Sequence, residues 1–185
     1  LDKKICDLVE RIVMLPGVDD LALTTNGMLL SLFAEKLAAA GLHRVTVSLD
    51  SIDKDIFRKM SGGRGDLGKV LAGIKAAEEA GLGPIKINVV VQKGVNDHAV
   101  LDLLEYFRGT GTIVRLIEFM DVGNRNGWQM NQVVPSHVLL ESIQRRWAMR
   151  PVDQNYTAEV ARRYEYVDGG GEIGFISSVT EPFCG

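Results

Sequence analysis

Four short segments of strand-like sequence alternate with helix-like sequence along the first two thirds of the chain. The four segments read DLALTT, RVTVSLD, IKINVVV and TIVRLIEFM, and the stretches between them carry apolar residues at helical spacing. Strands that alternate with helices in this way are typical of parallel βαβ units. The pattern predicts an α/β fold, either an open doubly wound sheet or a (β/α) barrel.

The turn after the first strand argues against the common nucleotide-binding form of the doubly wound sheet. It reads TTNG rather than G-x-G-x-x-G, and the sequence contains no G-x-x-x-x-G-K-[ST] phosphate loop. This absence favours a barrel, or part of one. Beyond the fourth strand, a helix is predicted over 136–147, and RRYEYV and EIGFISSV flank a glycine-rich turn at 168–171 that predicts a β-hairpin.

The composition narrows the class of protein. The 185 residues are 46% hydrophobic and carry a formal net charge of −3, which predicts a folded chain without the basic face of a nucleic-acid binder. No apolar run approaches the roughly 20 residues that span a membrane. Two distant cysteines give no disulfide framework. We expect a cytoplasmic protein that binds neither nucleic acid nor membrane.

Polar residues stand at or near the carboxyl ends of the predicted strands, where the active sites of barrel enzymes lie. Alternation within IKINVVV places Lys86 and Asn88 on one face and apolar residues on the other. Arg115 lies mid-strand in the next unit, and two cations directed at one pocket suggest an anionic ligand. The polar residues near the other strand ends are Thr24, Thr25, Asn26, Ser48, Asp50 and Glu118.

These residues also have purely structural interpretations. Lys86 and Arg115 could pair with Asp50 and Glu118 in a buried network, because an unpaired buried lysine is costly. The TTNG segment could be only a strand that ends in a turn. Asp50 or Asp53 is expected to cap the helix that follows.

The remaining candidate ligands give weaker signals. The three histidines show no metal-ligand spacing, and Cys6 is predicted to be a small apolar residue on a helix. Asn96 is predicted to cap the next helix, within a solvated loop that includes Lys93 and Asp97. Cys184 alone is a weak metal signal, since a metal site needs several ligands.

Five stretches, taken together, carry a family resemblance. They read LTTNG, VTVSLDS, IKINVVVQKGVND, VRLIEFMDVGNRNGW and FISSVTEPFCG, and they extend from about Asp20 to Gly185. In this order and spacing they closely resemble the molybdenum cofactor biosynthesis protein A family, whose members are radical S-adenosylmethionine (SAM) enzymes with GTP 3′,8-cyclase activity. IEFMDVGN and SVTEPFCG are specific to that family, whereas TTNG and SLD recur across radical SAM enzymes.

The resemblance implies a fold and a reaction. The fold is a partial (β/α) barrel over residues 1–120, followed by the start of a β-containing C-terminal lobe over 121–185. One 4Fe–4S cluster binds and cleaves SAM, and a second, held by three C-terminal cysteines, binds the guanine of GTP. The 5′-deoxyadenosyl radical removes the 3′ hydrogen of GTP, and the ribose radical attacks C8 to give a cyclised dihydroguanosine triphosphate.

The resemblance also implies partners and site residues. An electron donor and a downstream cyclic pyranopterin monophosphate synthase are expected, and a homodimer is compatible with it. No residue is assigned a catalytic role. By motif match, the GTP-binding residues are Thr24, Lys86 and Arg115, the SAM-binding residues are Ser48 and Met120, and one ligand of the second cluster is Cys184.

The chain departs from the family pattern in what it lacks. It contains no C-x-x-x-C-x-x-C loop and only one of the three C-terminal cysteines, and its first residue is Leu1. We expect a segment truncated at both ends that cannot catalyse the reaction alone. Two other hypotheses are a different radical SAM enzyme, such as a peptide-modifying one, and a cluster-free barrel that binds a nucleotide or a partner protein.

Overall fold

A computed structural model describes residues 4–120, 128–153 and 160–181. The helices of these residues are α1 (Ile5–Val13), α2 (Leu30–Ala39), α3 (Lys54–Met60), α4 (Leu67–Glu79), α5 (Val100–Phe107) and α6 (Ser136–Gln144). The strands are β1 (Ala22–Thr25), β2 (Arg44–Ser48), β3 (Lys86–Val91), β4 (Ile113–Glu118), β5 (Met149–Val152), β6 (Arg162–Tyr166) and β7 (Glu172–Ile176).

All seven strands form one sheet in the order β1-β2-β3-β4-β7-β6-β5. The first four strands are parallel and adjacent in chain order, and β7 continues the parallel part beside β4. A doubly wound sheet requires a point where the strand order reverses. Strands β1 to β4 show no such reversal, so right-handed crossovers bring their helices to the same face. The predicted α/β fold and its partial barrel are confirmed.

The core lies on the face of the sheet that the helices cover. Exposure alternates residue by residue along β3 and β4, with the buried residues on the helix-covered face. Ile87, Val89 and Leu116 are among the fully buried residues, whereas Lys86 and Asn88 lie on the open face. The alternation predicted for IKINVVV is therefore confirmed, and it separates the core from the face that can meet a ligand.

Short polar motifs decide where several elements begin. The Asp53 side chain accepts hydrogen bonds from the backbone N–H of Asp55 and Ile56, both at 2.9 Å, so Asp53 is the expected cap of α3. In the TTNG turn, Gly27 has a φ of 75°, and a Cβ there would lie 3.0 Å from Val47 and Val70 methyl carbons. Only glycine fits both the backbone conformation and the space.

The C-terminal strands agree with the sequence in part. The predicted hairpin forms, with β6 antiparallel to β7. Sequence reasoning missed β5, a four-residue strand that pairs antiparallel with β6 at the sheet edge. It contains Pro151, which sequence patterns count against a strand but which an edge strand tolerates.

No helix among the described residues is long and apolar enough to cross a membrane.

Candidate functional site

The open face of the sheet presents two parallel rows of polar residues. In one row, Cα pairing across β1, β2, β3 and β4 aligns Thr24, Thr46, Lys86 and Ile113. In the next row toward the carboxyl ends, pairing across β2, β3, β4 and β7 aligns Ser48, Asn88, Arg115 and Gly174. Residues aligned in this way point to the same side of a sheet. Four of the six predicted site residues thus share one face.

The spacing of these rows suits a single ligand site. Neighbouring strands lie about 4.8 Å apart, and two residues along a strand span about 6.6 Å. The Cα atoms of Lys86 and Arg115, on adjacent strands and one row apart, are therefore separated by about 8 Å. Two cationic side chains at this spacing, flanked by hydroxyl and amide groups, can bind an elongated anion.

Of the buried network that was considered as an alternative, the pair of Arg115 with Glu118 does not form. Glu118 lies on the core face, opposite to Arg115, and its carboxylate is bound by other groups. The Asp50 carboxylate accepts a hydrogen bond from the backbone N–H of Val90 at 2.8 Å. Arg115 and Glu118 therefore lie on opposite faces of β4, and the backbone of β3 binds the Asp50 carboxylate.

Asp20 lies near the amino ends of the same strands. It pairs with Arg44. The hydrogen bond from Arg44, with smaller electrostatic contributions from Arg44, His43 and Lys86, holds the pKa of Asp20 below its ordinary value, although burial opposes this effect. Lys86 thus has an acidic neighbour, but the main partner of that carboxyl group is Arg44.

Ser48 opens into a cavity at the carboxyl ends of β1 and β2. Ser48 is exposed and occupies the last position of β2. The cavity has a volume of about 310 Å³, near the lower end of small-molecule sites. It combines polar groups at the strand ends with an apolar wall. The lining residues are Asn26, Met28, Ser48, Asp50, Phe57, Ser61, Arg64 and Gly65.

Met120 lies two residues beyond the end of β4, at the same edge of the sheet. Met120 is 43% exposed, so it is not part of the core. The preceding residue, Phe119, is held by a hydrogen bond of 2.9 Å from the Trp128 indole N–H to its carbonyl. Cys184 lies outside the described residues. Within the described ranges, no group of three His, Cys, Asp or Glu residues could hold a metal ion.

Asn88 is a candidate residue that the sequence analysis placed on the open face but did not assign. It is aligned between Ser48 and Arg115, and its side-chain Oδ1 is buried without a hydrogen-bond partner among the described residues. A buried acceptor without a partner is costly, so this atom is suited to accept a hydrogen bond from a ligand. The signal in the sequence was its alternation with Lys86 on β3.

The prediction for Asn96 was right about its position, just before the 3-10 turn Asp97–Ala99 that leads into α5, but wrong about its solvation and its side-chain bonds. Asn96 is fully buried, and it makes no side-chain capping hydrogen bond. Its amide instead links the ends of β2 and β3 through the carbonyl oxygens of Asp50 and Val90. Burial raises the pKa of the neighbouring Asp50, although the hydrogen bond from the N–H of Val90 opposes this effect. The sequence could not show this, because Asp50 is distant along the chain.

Glu118 is a second residue whose role emerged only from the structure. It is 1% exposed, and its carboxylate accepts hydrogen bonds from the backbone N–H groups of Ser136, Val179 and Thr180 at 2.8–3.0 Å. The hydroxyls of Ser136 and Thr180 also donate to it. Burial alone would raise the pKa of Glu118, but these hydrogen bonds outweigh it and hold the pKa below its ordinary value. Glu118 therefore joins β4, the start of α6 and the segment after β7.

The parallel part of the sheet, β1 to β4 with β7, and its polar open face agree with the families that the chain matches. Residues 1–107 match the model of the Radical SAM superfamily, and residues 112–185 match that of Molybdenum Cofactor Synthesis C. The first match covers more than half of the chain, and the chain belongs to the radical SAM superfamily.

Similar proteins narrow the comparison within that superfamily. A GTP 3′,8-cyclase of Xanthomonas campestris pv. campestris (strain B100) is 54% identical over 185 residues, which are 100% of this chain and 55% of that protein. The GTP 3′,8-cyclase of Acidothermus cellulolyticus is 49% identical over 177 residues, 96% of this chain and 49% of that protein. The chain thus spans about half the length of the curated relatives it matches.

A solved structure supports the fold. A radical SAM methyltransferase from Sphaerobacter thermophilus superposes with a TM-score of 0.51 and 21% sequence identity. The match covers 67% of this chain and 36% of that protein. At this identity the likeness concerns the fold alone, and it agrees with a partial radical SAM barrel.

Proposed function

We propose that this chain is the central part of a GTP 3′,8-cyclase, a radical SAM enzyme of molybdenum cofactor biosynthesis. The observation that carries the proposal is the shared open face of Thr24, Lys86, Ser48 and Arg115, in a chain 54% identical to a protein of that name. Lys86 and Arg115 bind the triphosphate, and Thr24 hydrogen-bonds GTP beside Lys86. The complete protein carries the activity, and this segment supplies the binding face.

SAM fits the carboxyl end of the same face. Ser48 presents a hydroxyl to the cavity, and Asn88 presents a buried oxygen without a partner among the described residues. SAM carries hydroxyl and amino groups that can donate to both. Met120 lies at the same edge and contributes an exposed apolar contact. In this proposal GTP and SAM lie next to each other on the open face, because Asn88 is aligned with both Ser48 and Arg115.

The cofactors of the proposal are SAM and two 4Fe–4S clusters. Cys184 supplies one thiolate to the second cluster, and a cluster needs three or four ligands, so the others belong to further parts of a longer protein. When bound, the clusters and SAM supply the one-electron chemistry. The residues described above bind, orient and desolvate the substrates, which is the usual contribution of the protein in such enzymes.

The remaining parts of the proposal concern partners and domains. A reductant supplies the electron, and a cyclic pyranopterin monophosphate synthase uses the product. The enzyme works in the cytoplasm, and its oligomeric form is a homodimer. Residues 1–120 belong to the barrel and residues 121–185 begin the C-terminal lobe. Under this division the second part contributes β5, β6 and β7 to the same sheet, and the boundary follows β4.

Two substitutions in the full-length, cluster-loaded protein test the site. Lys86→Ala should weaken GTP binding by about 1.5–3 kcal/mol, roughly 10- to 150-fold in Kd, because a hydrogen bond to a charged group is lost. Ser48→Ala should weaken SAM binding and leave GTP binding unchanged. Anaerobic equilibrium dialysis with each ligand measures both. The control is Lys75→Ala on α4, an exposed lysine near Glu79, which should change neither affinity.

The outcomes separate the proposal from its rivals. Unchanged GTP affinity in Lys86→Ala removes Lys86 from the site. If Ser48→Ala weakens GTP binding instead of SAM binding, the two pockets have been exchanged. A wild-type protein that binds SAM but not GTP would be a different radical SAM enzyme, and one that binds no SAM would overturn the proposal.

A further inference from the structure

The hydrogen-bond ladder between β2 and β3 changes character at the edge of the cavity. Ser48 and Asn88 are the last paired residues of the two strands, and the N–H of Leu49 still donates to the carbonyl of Asn88 at 3.0 Å. One step further, the N–H of Val90 donates to the side-chain Oδ1 of Asp50 at 2.8 Å rather than to a backbone carbonyl of β2. A side chain has entered the ladder, so the backbones of the two strands separate at this point.

The side chain of Asn96 closes the gap that this separation leaves. Its Nδ2 donates to the carbonyl of Asp50 at 2.9 Å and to the carbonyl of Val90 at 2.8 Å. Its Oδ1 accepts from the N–H of Gln92 at 2.8 Å. Only a primary amide offers two donors and an acceptor from one short side chain, and Asn96 uses all three groups while 0% exposed.

Asn96 does not itself line the cavity, but it holds a residue that does. Ser48 and Asp50 both line the cavity, and Asn96 contacts Asp50 through its backbone carbonyl. Asn88, whose Oδ1 has no partner among the described residues, lies on β3 two positions before Val90. The amide of Asn96 therefore sets the distance between the ends of the two strands that carry the proposed SAM-contacting groups.

We propose that Asn96 is a positioning residue for SAM, which acts by holding the separated ends of β2 and β3 at the spacing that the SAM site requires. This inference rests on the proposed function, since it takes Ser48 as a contact of SAM. Under this proposal Asn96 touches neither substrate, and it affects the binding of SAM but not that of GTP. Lys86 and Thr24 lie before the point of separation, where Thr46 and Lys86 are paired directly. Arg115 lies on β4, which pairs with β3 without interruption over six residues, so we expect GTP binding not to depend on Asn96.

The test uses Asn96→Asp in the full-length, cluster-loaded enzyme. Aspartate has nearly the same shape, but it loses both donors and places a negative charge opposite two carbonyl oxygens. We expect the KM for SAM to rise about tenfold, as for the loss of one or two hydrogen bonds, with the KM for GTP within about twofold of wild type. A purely structural role would lower the active fraction, and hence kcat, without separating the two KM values.

The matched control is Asp97→Asn in the same loop. The Asp97 carboxylate accepts a hydrogen bond from the N–H of Gly94 at 2.8 Å and does not bridge the strands. Both KM values should stay within about twofold of wild type. If Asn96→Asp does not fold, Asn96→Ser, which keeps one donor and adds no charge, replaces it, and a smaller selective rise in the KM for SAM is expected.

Ser48→Ala, measured in parallel, separates the failure of this inference from that of the proposed function. If Ser48→Ala raises the KM for SAM and the Asn96 variants leave it unchanged, the positioning role is overturned and the proposed site stands. If the Asn96 variants change the KM for SAM and the KM for GTP equally, the positioning role is also overturned. If Ser48→Ala leaves the KM for SAM unchanged, the SAM assignment is overturned together with the inference.

Discussion

Glu118 shows how much one buried side chain contributes to this structure. Its carboxylate is the meeting point of three segments that are far apart in sequence, namely the end of β4, Ser136 at the start of α6, and the 179–180 segment. It gives the first turn of α6 the acceptor that helix N-termini need, a role usually filled by a side chain just before the helix. Removing it would leave several buried donors unpaired.

Loss of the Glu118 carboxylate is expected to destabilise the fold. Glu118→Ala should lower the free energy of unfolding by about 3 kcal/mol or more, since each buried donor left without a partner costs about 1–3 kcal/mol. Urea unfolding measures the change. The control is Glu165→Gln, which removes a carboxylate paired with Arg150 on an exposed edge, and exposed ion pairs contribute about 0–1 kcal/mol. Equal effects for the two variants would contradict the role assigned to Glu118.

The pH dependence of stability follows from the same residue. The pKa of Glu118 is lower in the folded state than in the unfolded chain, because the hydrogen bonds to its carboxylate favour the charged form. The folded state therefore binds this proton less readily, and the stabilisation is fully present above the unfolded pKa. It is lost as the pH falls through the lower folded value. As the pH is lowered through this acid range, the Tm of Glu118→Gln should fall less steeply than the Tm of the wild type.

At the scale of elements, the contact between α2 and α4 depends on a glycine. Gly73 lies in the interior of α4, and a Cβ there would be 2.7 Å from the carbonyl oxygen of Gly27 and 3.0 Å from Cβ of Leu30. The two helices thus approach closely because residue 73 has no side chain. The same glycine turn, TTNG, ends β1 and orients the start of α2, so this contact helps to fix the strand end that carries Thr24.

Gly73→Ala is predicted to destabilise the fold, although alanine is the better helix former. The gain in helix propensity is about 1 kcal/mol, and the clash with a backbone oxygen costs about 1–3 kcal/mol. The control is Gly68→Ala in the same helix, where the nearest atom is a side-chain oxygen of Asp66 at 3.2 Å. That variant should be neutral or slightly stabilised. Urea unfolding of both variants should show a lower free energy of unfolding for Gly73→Ala than for Gly68→Ala, and a stabilised Gly73→Ala would refute the close contact.

At the scale of the whole molecule, the two family matches meet within one sheet. Residues 1–107 contain β1 to β3, and residues 112–185 contain β4 to β7, while β3 pairs with β4 over six residues. The proposed binding face crosses this junction, because Lys86 lies on one side and Arg115 on the other. The site therefore depends on both regions being folded together.

The whole-molecule prediction is that these 185 residues alone do not cleave SAM. A 4Fe–4S cluster takes three or four thiolates, and the sequence has two cysteines, of which Cys6 is partly buried against the core on α1. After anaerobic reconstitution with iron and sulfide and addition of dithionite, we expect no 5′-deoxyadenosine by chromatography. The full-length protein is the positive control. Formation of 5′-deoxyadenosine by the 185-residue protein would refute this prediction.

The local and periodic features of this protein could be predicted from its sequence alone. Alternation on β3 separated Lys86 and Asn88 from the core, helical spacing located the helices, and the glycine in TTNG marked the turn after β1. These properties follow from residues close together in the chain, so their pattern is visible without coordinates. The family resemblance then gave the fold and named the site residues, of which four share the open face.

Contacts between groups that are distant in sequence became visible only in the folded structure. Asn96 was predicted to cap a helix from a solvated loop, but it is buried. Its amide donates a hydrogen bond to the carbonyl of Asp50, 46 residues away. Glu118 was considered a partner of Arg115, but it lies on the other face and binds Thr180, 62 residues away. The short edge strand β5 was missed because its pairing with β6, not its own sequence, makes it a strand. Hydrogen bonds between remote segments leave no periodic signal, and they depend on how the strands and helices pack.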